Sequence, residues 1–496
     1  MEPATGSRVA GERFCGSWRT CWAGVVLGVC WWVQISGAWY DQFQVGFRER
    51  RIACGGGMKL SVVGTGALVL VGGVVMACAQ SALAAGMVCD VRAYGAKGDG
   101  VTKDTVAIQK AIDACAWKDV AMVGKGMLPE SNVVRLEGGT FLSAPIELKS
   151  GITLEIAKGA TLLASPDHAD FKPQMVFKLP GVQPFVSAVH ATHVTVTGGG
   201  VLDGNGQSWW EMIRGKKDGG VLGNANPRPM GLVFDHSQHI RVENITVQNS
   251  GFWQIVPYYS DDIVIRNSRV LAPRHAPNTD GIDPFSSSNI VIEHMYEDVD
   301  DDDVAIKSGP IDSPGPDAPS KNITISDCEI RHGHGISIGS EIAGGAQNVL
   351  VERVHFVGTD NGVRVKANRD RGSDVSGIIF RDITMEDVKN TLIISEYYPK
   401  ALPEGTVESA PIGRLTPFFH DITIENLKSV GSEWAGVVIG LPESPVKNLV
   451  MKNVEIEAKK GLQIAYAVVT ASNVKVTASV GEGITVTPTA QVTMTK

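Results

Sequence analysis

Asn289-Ile290-Val291-Ile292 returns as Asn322-Ile323-Thr324-Ile325 and again as Asn348-Val349-Leu350-Val351. The same form, Asn, Asp or His followed by apolar-x-apolar, stands earlier at His239-Ile240-Arg241-Val242 and Asp262-Ile263-Val264-Ile265. It continues at Gly377-Ile378-Ile379-Phe380, Asp421-Ile422-Thr423-Ile424 and Asn448-Leu449-Val450-Met451. Successive copies are mostly 23 to 33 residues apart, with longer gaps where loops could be inserted. Alternation over so few residues marks a short strand with one buried face. One such unit cannot bury that face alone, so copies at this period must stack into a continuous core. The repeat predicts an all-β parallel β-helix, a solenoid forming one domain over residues 86–496.

Within the repeat, Asn244-Ile245-Thr246 and Asn322-Ile323-Thr324 match the glycosylation triplet. Their place in the repeat reads instead as asparagine ladders at turns. Upstream, Asp90 to Gly100 reads as a strand entering a Gly-rich turn, without the pattern of a phosphate loop. Asp104 to Asp113 reads as a helix with Asp104 as N-cap and Ile108, Ala111 and Ile112 on one face. A solenoid needs its first open edge covered, and this short N-terminal helix is the expected cap. Trp209-Trp210 follows a Gly-rich turn and serves either a sugar cleft or packing.

Residues 1–57 are rich in Trp and Cys and lack periodicity. From Met58 the chain has Lys59, an apolar run from Leu60 to Ala77, and Ala82-Leu83-Ala84-Ala85. That order predicts a secretory signal peptide over 58–85 and makes 1–57 a non-native extension from a mis-assigned start. The alternative is a genuine cytosolic extension with a membrane anchor. Val75-Met76-Ala77-Cys78 faintly resembles a lipoprotein cleavage site, which Met76 fits badly. The mature chain is expected to be secreted or periplasmic, monomeric and free of the membrane. It keeps Cys89, Cys115 and Cys328, too few for a disulfide framework and without metal-ligand spacing. A Cys89–Cys115 bond suits an oxidising compartment, with Cys328 packed inside as a small apolar residue. A net charge of −8 gives no support for nucleic-acid binding and leaves any polyanionic substrate to a few local cations.

Four stretches carry chemistry: Asn278-Thr279-Asp280-Gly281-Ile282-Asp283, Asp300-Asp301-Asp302-Asp303-Val304-Ala305-Ile306-Lys307, Gly333-His334-Gly335-Ile336, and Asn361-Gly362-Val363-Arg364-Val365-Lys366. Aligned on Ile282, Val304, Ile336 and Val363, the residue two places earlier is Asp280, Asp302, His334 or Asn361. On neighbouring parallel strands these side chains form one column, about 4.8 Å from coil to coil. Glycoside hydrolysis needs one carboxylic acid for the leaving oxygen and a second carboxylate for water or direct attack. Asp280, Asp301 and Asp302 supply them, and crowding raises one pKa so that it keeps its proton. His334 can share or tune that proton. Arg364 and Lys366, two residues apart, point the same way and suit sugar carboxylates. Taken singly, Asp298–Asp303 reads as a solvated turn or a Ca²⁺ site, and the two cations read as surface charge. Their common phase on consecutive coils is what joins them.

Asn278-Thr279-Asp280, Asp301-Asp302, Gly333-His334-Gly335 and Arg364-Val365-Lys366, in that order, resemble the four signature motifs of the polygalacturonases in glycoside hydrolase family 28. The likeness runs across most of the mature chain, from Tyr94-Gly95-Ala96 onward. It implies a right-handed β-helix and hydrolysis of α-1,4-linked galacturonan in pectin or polygalacturonate, with inversion and neither metal nor cofactor. It makes Asp301 the general acid, has Asp280 and Asp302 activate water, and gives His334 the support of the acid. Arg364 and Lys366 hold galacturonate carboxylates, with Asn278 among the substrate-binding residues. A substrate-binding tyrosine is Tyr397 or Tyr398. The chain departs from the pattern at Asp300 and Asp303, where the family has Gly and Cys or Ala. The pair is placed at Asp301-Asp302 because Val304-Ala305-Ile306-Lys307 keeps the family register, and the added charges are expected to raise the acid's pKa.

Two other readings compete. A pectate-lyase-like β-helix would use Ca²⁺ and an arginine for β-elimination, but leaves His334 unexplained. A non-catalytic β-helix would only bind polysaccharide. Inserts around Asn205–Pro229, Pro310–Lys321 and Pro399–Thr416 could wall off one end of the cleft, which favours exo over endo attack.

Overall fold

The computed structural model describes residues 86–118, 131–216, 222–399 and 407–495. The expected leader and the 1–57 extension lie outside them. Over the described residues the chain winds into a right-handed parallel β-helix, each coil giving up to three strands.

One sheet collects the repeated motif. Ile240 pairs with Ile263, then in register come Ile290, Ile323, Val349, Ile378, Ile422 and Leu449. All are at most 1% exposed, an aliphatic column down the solenoid axis. The polar residue that opens each motif has a left-handed backbone, with φ of 55° at His239, 52° at Asp262, 55° at Asn289 and 56° at Asn322 and Asn348. Asn, Asp and Gly tolerate that conformation best, which explains the residues found there. The Asn322 amide donates to Asn289 at 3.0 Å and that of Asn348 to Asn322 at 3.2 Å, so Asn322 stands in a ladder. Two residues before four consecutive motifs, at Ser237, Ser260, Ser287 and Ser320, runs a buried serine ladder that the repeat did not announce. The Ser237 N–H donates to Ser260 Oγ at 2.9 Å and the Ser260 N–H to Ser287 Oγ at 3.0 Å.

A second set of strands carries Ile255, Ile282, Val304, Ile336, Val363 and Leu392 in register. The alignment expected from sequence is thus the one the coils adopt. On the outer face of this sheet an antiparallel hairpin, Pro173–Val182, packs over neighbouring coils. Its Phe177 ring stacks on Tyr258 at 4.1 Å, and Phe252, Trp253 and Phe285 complete an aromatic cluster.

The capping helix α1, Thr105–Cys115, buries Ile108, Ala111 and Ile112 against the first coils. Asp104 precedes it as expected, but its carboxylate does not cap the helix. It accepts from the N–H groups of Lys97 and Gly98 at 2.7 and 2.9 Å and closes the Gly-rich turn. A disulfide joins Cys89 on the first strand to Cys115 at the end of α1, and Cys328 is buried as a free thiol. A second, shorter helix, α2, Gln207–Ile213, carries Trp209 and Trp210, both buried. Trp209 stacks on His168 at 3.5 Å and Trp210 donates to the Ser250 carbonyl at 3.0 Å, which is packing. Among the described residues no helix is long and apolar enough to cross a membrane.

Acidic side chains occupy some core positions, Glu297 among them. Glu297 is fully buried with neither carboxyl oxygen hydrogen-bonded, and burial holds its pKa well above the carboxylate range. The folded state then binds a proton that the unfolded chain releases above about pH 4.3, so stability falls as pH rises. Glu297→Leu removes that penalty. It is expected to raise Tm at pH 8 and to lose most of the gain at pH 4, measured by thermal melts across pH.

Candidate active site

The four consecutive aspartates leave the chain in four directions. Asp300 accepts the His275 N–H at 2.7 Å. Asp301 is partly exposed, and its Oδ1 lies 2.9 Å from His334 Nδ1 while Oδ2 accepts from the Asn278 amide at 3.2 Å. Asp302 accepts from Ser337 at 2.8 Å, from Arg364 at 2.8 Å and from Lys366 at 2.7 Å. Asp303 turns inward and accepts the Gly335 N–H at 2.9 Å. That inward turn accounts for Gly333, while at Gly335 a Cβ would meet the Asn361 carbonyl. Gly333 has a φ of 57°, and a Cβ there would collide with the Asp303 carboxylate.

Asp280, one coil before, meets Lys307 Nζ at 3.2 Å, and Lys307 also reaches Asp283 at 3.3 Å and Glu341 at 3.6 Å. Lys307 sits 4.6 Å from the Trp253 ring centroid, where the aromatic cluster abuts the carboxylates. Sequence reasoning did not select Lys307, Asp283, Glu341 or Ser337. Asp283 and Ser337 share the outward phase of Arg364, and Lys307 that of Lys366, a period-2 signal that could have found them.

Asn278 comes together with the predicted set, and both ends of its amide are engaged by protein. Its Oδ1 accepts from Arg228 at 2.7 Å and its amide nitrogen donates to Asp301. Of the two tyrosines, Tyr398 is the one at the site, its ring centroid 5.6 Å from the Arg364 guanidinium and 5.3 Å from Lys366 Nζ. Tyr397 lies toward Arg369.

Electrostatics divide the acids. Burial pushes Asp302 up, but Lys366, Arg364 and Lys307 overcome it and hold the carboxyl well below the usual carboxylate range. Burial also raises Asp301, yet the His334 hydrogen bond and the charges of His334 and Lys366 bring it below its ordinary value. The expected rise in the pKa of Asp301 is therefore reversed, because the added aspartates turn away and His334 faces it. Burial, then the charges of Asp301 and Asp283, hold Asp280 well above the carboxylate range, and burial pushes Asp283 up to about 8. Burial lowers His334, but the bond to Asp301 and the charges of both aspartates leave it above the ordinary imidazole value.

Asp301, Asp302 and His334 bring ligand atoms within 4.8 Å of one another, a spacing that suits a metal ion. Asp302, however, already accepts from two cations and a hydroxyl, so a metal would have to displace them.

Against known proteins, the model of glycosyl hydrolases family 28 matches residues 134–480. The chain belongs to glycosyl hydrolases family 28. A second model, rhamnogalacturonase A/epimerase, pectate lyase-like, matches residues 88–164, ahead of the site. An endo-polygalacturonase of Pectobacterium parmentieri is 32% identical over 74% of this chain and 87% of that protein. The crystal structure of an exopolygalacturonase from Thermotoga maritima matches with TM-score 0.63 and 26% identity, over 77% of this chain and 91% of that one. The polygalacturonase of Erwinia carotovora matches with TM-score 0.63 and 28% identity, over 77% and 96%. As a family 28 member the chain is a glycoside hydrolase, and its acidic column is the place to look for the reaction.

Lys366→Ala tests how the cations act on Asp302. Removing a cation 2.7 Å away raises the carboxyl pKa, so the acid limb of kcat/KM moves to higher pH. An unchanged acid limb, read from pH–rate profiles, would show that Asp302 is not the group that must ionise.

Proposed function

We propose that the chain hydrolyses α-1,4-galacturonosidic bonds of polygalacturonate with inversion, from a chain end, in a secreted or periplasmic setting. The observation that carries this reading is the meeting of Asp280, Asp301, Asp302 and His334 with Arg364, Lys366 and Tyr398. Asp302 is the ionised carboxylate and, with Asp280, orients the water. The Asp301–His334 pair holds one proton between them, on imidazole in the open site. A bound sugar excludes water and disfavours separated charges, which moves that proton to Asp301, the general acid. Arg364 retains a buried Nε–H without a partner, and together with Lys366 it offers charge to a galacturonate carboxylate.

Attack from an end is supported by the wall on the N-terminal side of the site. The hairpin Pro173–Val182 seats Phe177 on Tyr258, with Leu222 and Met230 packed into the same cluster. Part of the Asn205–Pro229 insert thus joins the wall, beside a hairpin that sequence did not announce. The inserts around Pro310 and Pro399 meet instead along another flank, where Arg414 reaches Asp317 at 3.7 Å. Residues 400–406 of the last insert lie outside the described residues. The Cys89–Cys115 disulfide supports an oxidising compartment.

Asp301→Asn keeps the shape and removes the acid, with an expected loss of about 10²–10⁴-fold in kcat. Activity within tenfold of the parent would move the acid to another carboxyl. The parent should release short products of one size from polygalacturonate from the first minutes, with the anomeric configuration inverted in proton NMR. A ladder of mixed oligomers would remove end attack, and a retained anomer would remove the water mechanism. Ultraviolet-absorbing unsaturated products would favour the lyase reading.

A further inference from the structure

The acidic column does not end at Asn361. In-register pairing carries it from Asn361 to Asn390, from Asn390 to Trp434 and from Trp434 to Lys460. At about 4.8 Å per coil, Trp434 lies about 19 Å and Lys460 about 24 Å along the column from Asp302. The strip between is continuous. His334 Nε2 faces Asp360 Oδ2 at 3.7 Å, and the Asn390 amide donates to Asn361 Oδ1 at 3.1 Å and to the Asp360 carbonyl at 3.0 Å.

At its far end the strip meets an open groove of about 570 Å³, bordered by Asn390, Trp434, Lys460 and Gln463. Trp434 is half-buried and seated on the outward cluster of Val437, Ile439 and Ala465. Lys459 lies 3.8 Å from Glu433 at the rim, which Glu482 also lines. Lys460 is exposed and carries no carboxylate partner among the described residues. An indole offers an apolar face to a sugar ring, and an ammonium offers a point charge to a uronate carboxylate. On a chain with net charge −8, a tryptophan and a lysine in phase with the catalytic carboxylates are a specific pairing.

We propose that the Trp434–Lys460 groove is a distal subsite for the uncleaved part of an acidic 1,4-linked polysaccharide. This rests on the function proposed above, and it gives that function a direction. With the hairpin as the wall on the N-terminal side, the polymer runs from the carboxylates over Asn390 toward Trp434. Each hexose advances by roughly the height of one coil, so only a chain several sugars longer than a trimer reaches the groove. The subsite therefore selects polymer over short products.

Lys460→Glu and Trp434→Ala are compared with the parent on polygalacturonate and on trigalacturonate, with thermal melts for each. Lys460 is exposed, so its charge reversal still tests the groove should Trp434→Ala melt early. The expected result is a KM for the polymer raised about fivefold in each variant, with trigalacturonate kinetics unchanged. Equal losses on both substrates, or no loss on the polymer, would overturn the subsite. A parent inert on both substrates would refute galacturonan hydrolysis instead. The groove is then tested with Asp301→Asn in gels containing polygalacturonate. Retention weakened by Lys460→Glu supports it, and retention unaffected by that change overturns it.

Discussion

Everything at the site depends on in-register parallel pairing between coils. Ile282, Val304, Ile336 and Val363 are Cα partners, and their side chains fill the core. A slip of one residue would turn the branched aliphatic side chains outward and bring outward residues such as Asp283 or Arg364 inside. Fixing the inward phase fixes the outward one as well. The positions one after these anchors carry Asp283, Ser337 and Arg364, and those three after carry Lys307 and Lys366. Arg364 and Lys366 can grip Asp302 from two coils away because the hydrophobic column leaves them no other direction. The left-handed ladder residues hold that register at the corner of each coil, which is why they are small, polar and repeated.

The charges so assembled are buried, and buried charge survives only when paired. Asp302 has three donors and keeps its charge. Asp280 and Asp283 share Lys307 with Glu341, which is too little cation for three carboxylates, and burial leaves both aspartates holding protons more strongly than usual. The site therefore contains a carboxylate fixed as an anion beside one fixed near neutrality, produced by the allocation of cations. Lys307 in turn lies against Trp253, so the aromatic wall and the acid cluster are parts of one packing unit.

Much of this was legible in the sequence, for a physical reason. Polar-apolar-x-apolar at a coil-length period admits one stacking solution, so fold, register and the Asp280–Asp302–His334 column follow from spacing. The cap helix and its buried face followed from its helical period. The Asp300–Asp303 run was not separable, because where it enters a short strand the backbone bends and spacing no longer dictates direction. One of the four turns into the core over Gly333, and nothing in Asp-Asp-Asp-Asp says which. The Pro173–Val182 hairpin was equally silent, since its partner is the outer face of distant coils and no local pattern requires it. The choice between Tyr397 and Tyr398 also needed coordinates, because adjacent residues leaving a strand face opposite ways.

Asp301 is the residue where chemistry and packing pull apart. In the proposed role of general acid Asp301 must hold a proton, yet the free site keeps it below its ordinary pKa by setting His334 against it. The conflict disappears when the two are treated as one titrating unit. The imidazole above and the carboxyl below share a single proton across 2.9 Å, and the partly exposed pair is solvated as an ion pair only while water reaches it. A sugar ring laid over the pair removes that water. A dry site favours the neutral arrangement, and in the proposed mechanism the proton then moves to the carboxyl when a leaving oxygen is present to receive it. The Asn278 amide, held by Arg228, fixes Oδ2 from the other side and leaves Oδ1 as the oxygen that faces the imidazole. Arg228 thus fixes the orientation of the Asp301 carboxyl through one intermediate residue, although it lies in an insert outside the four motifs.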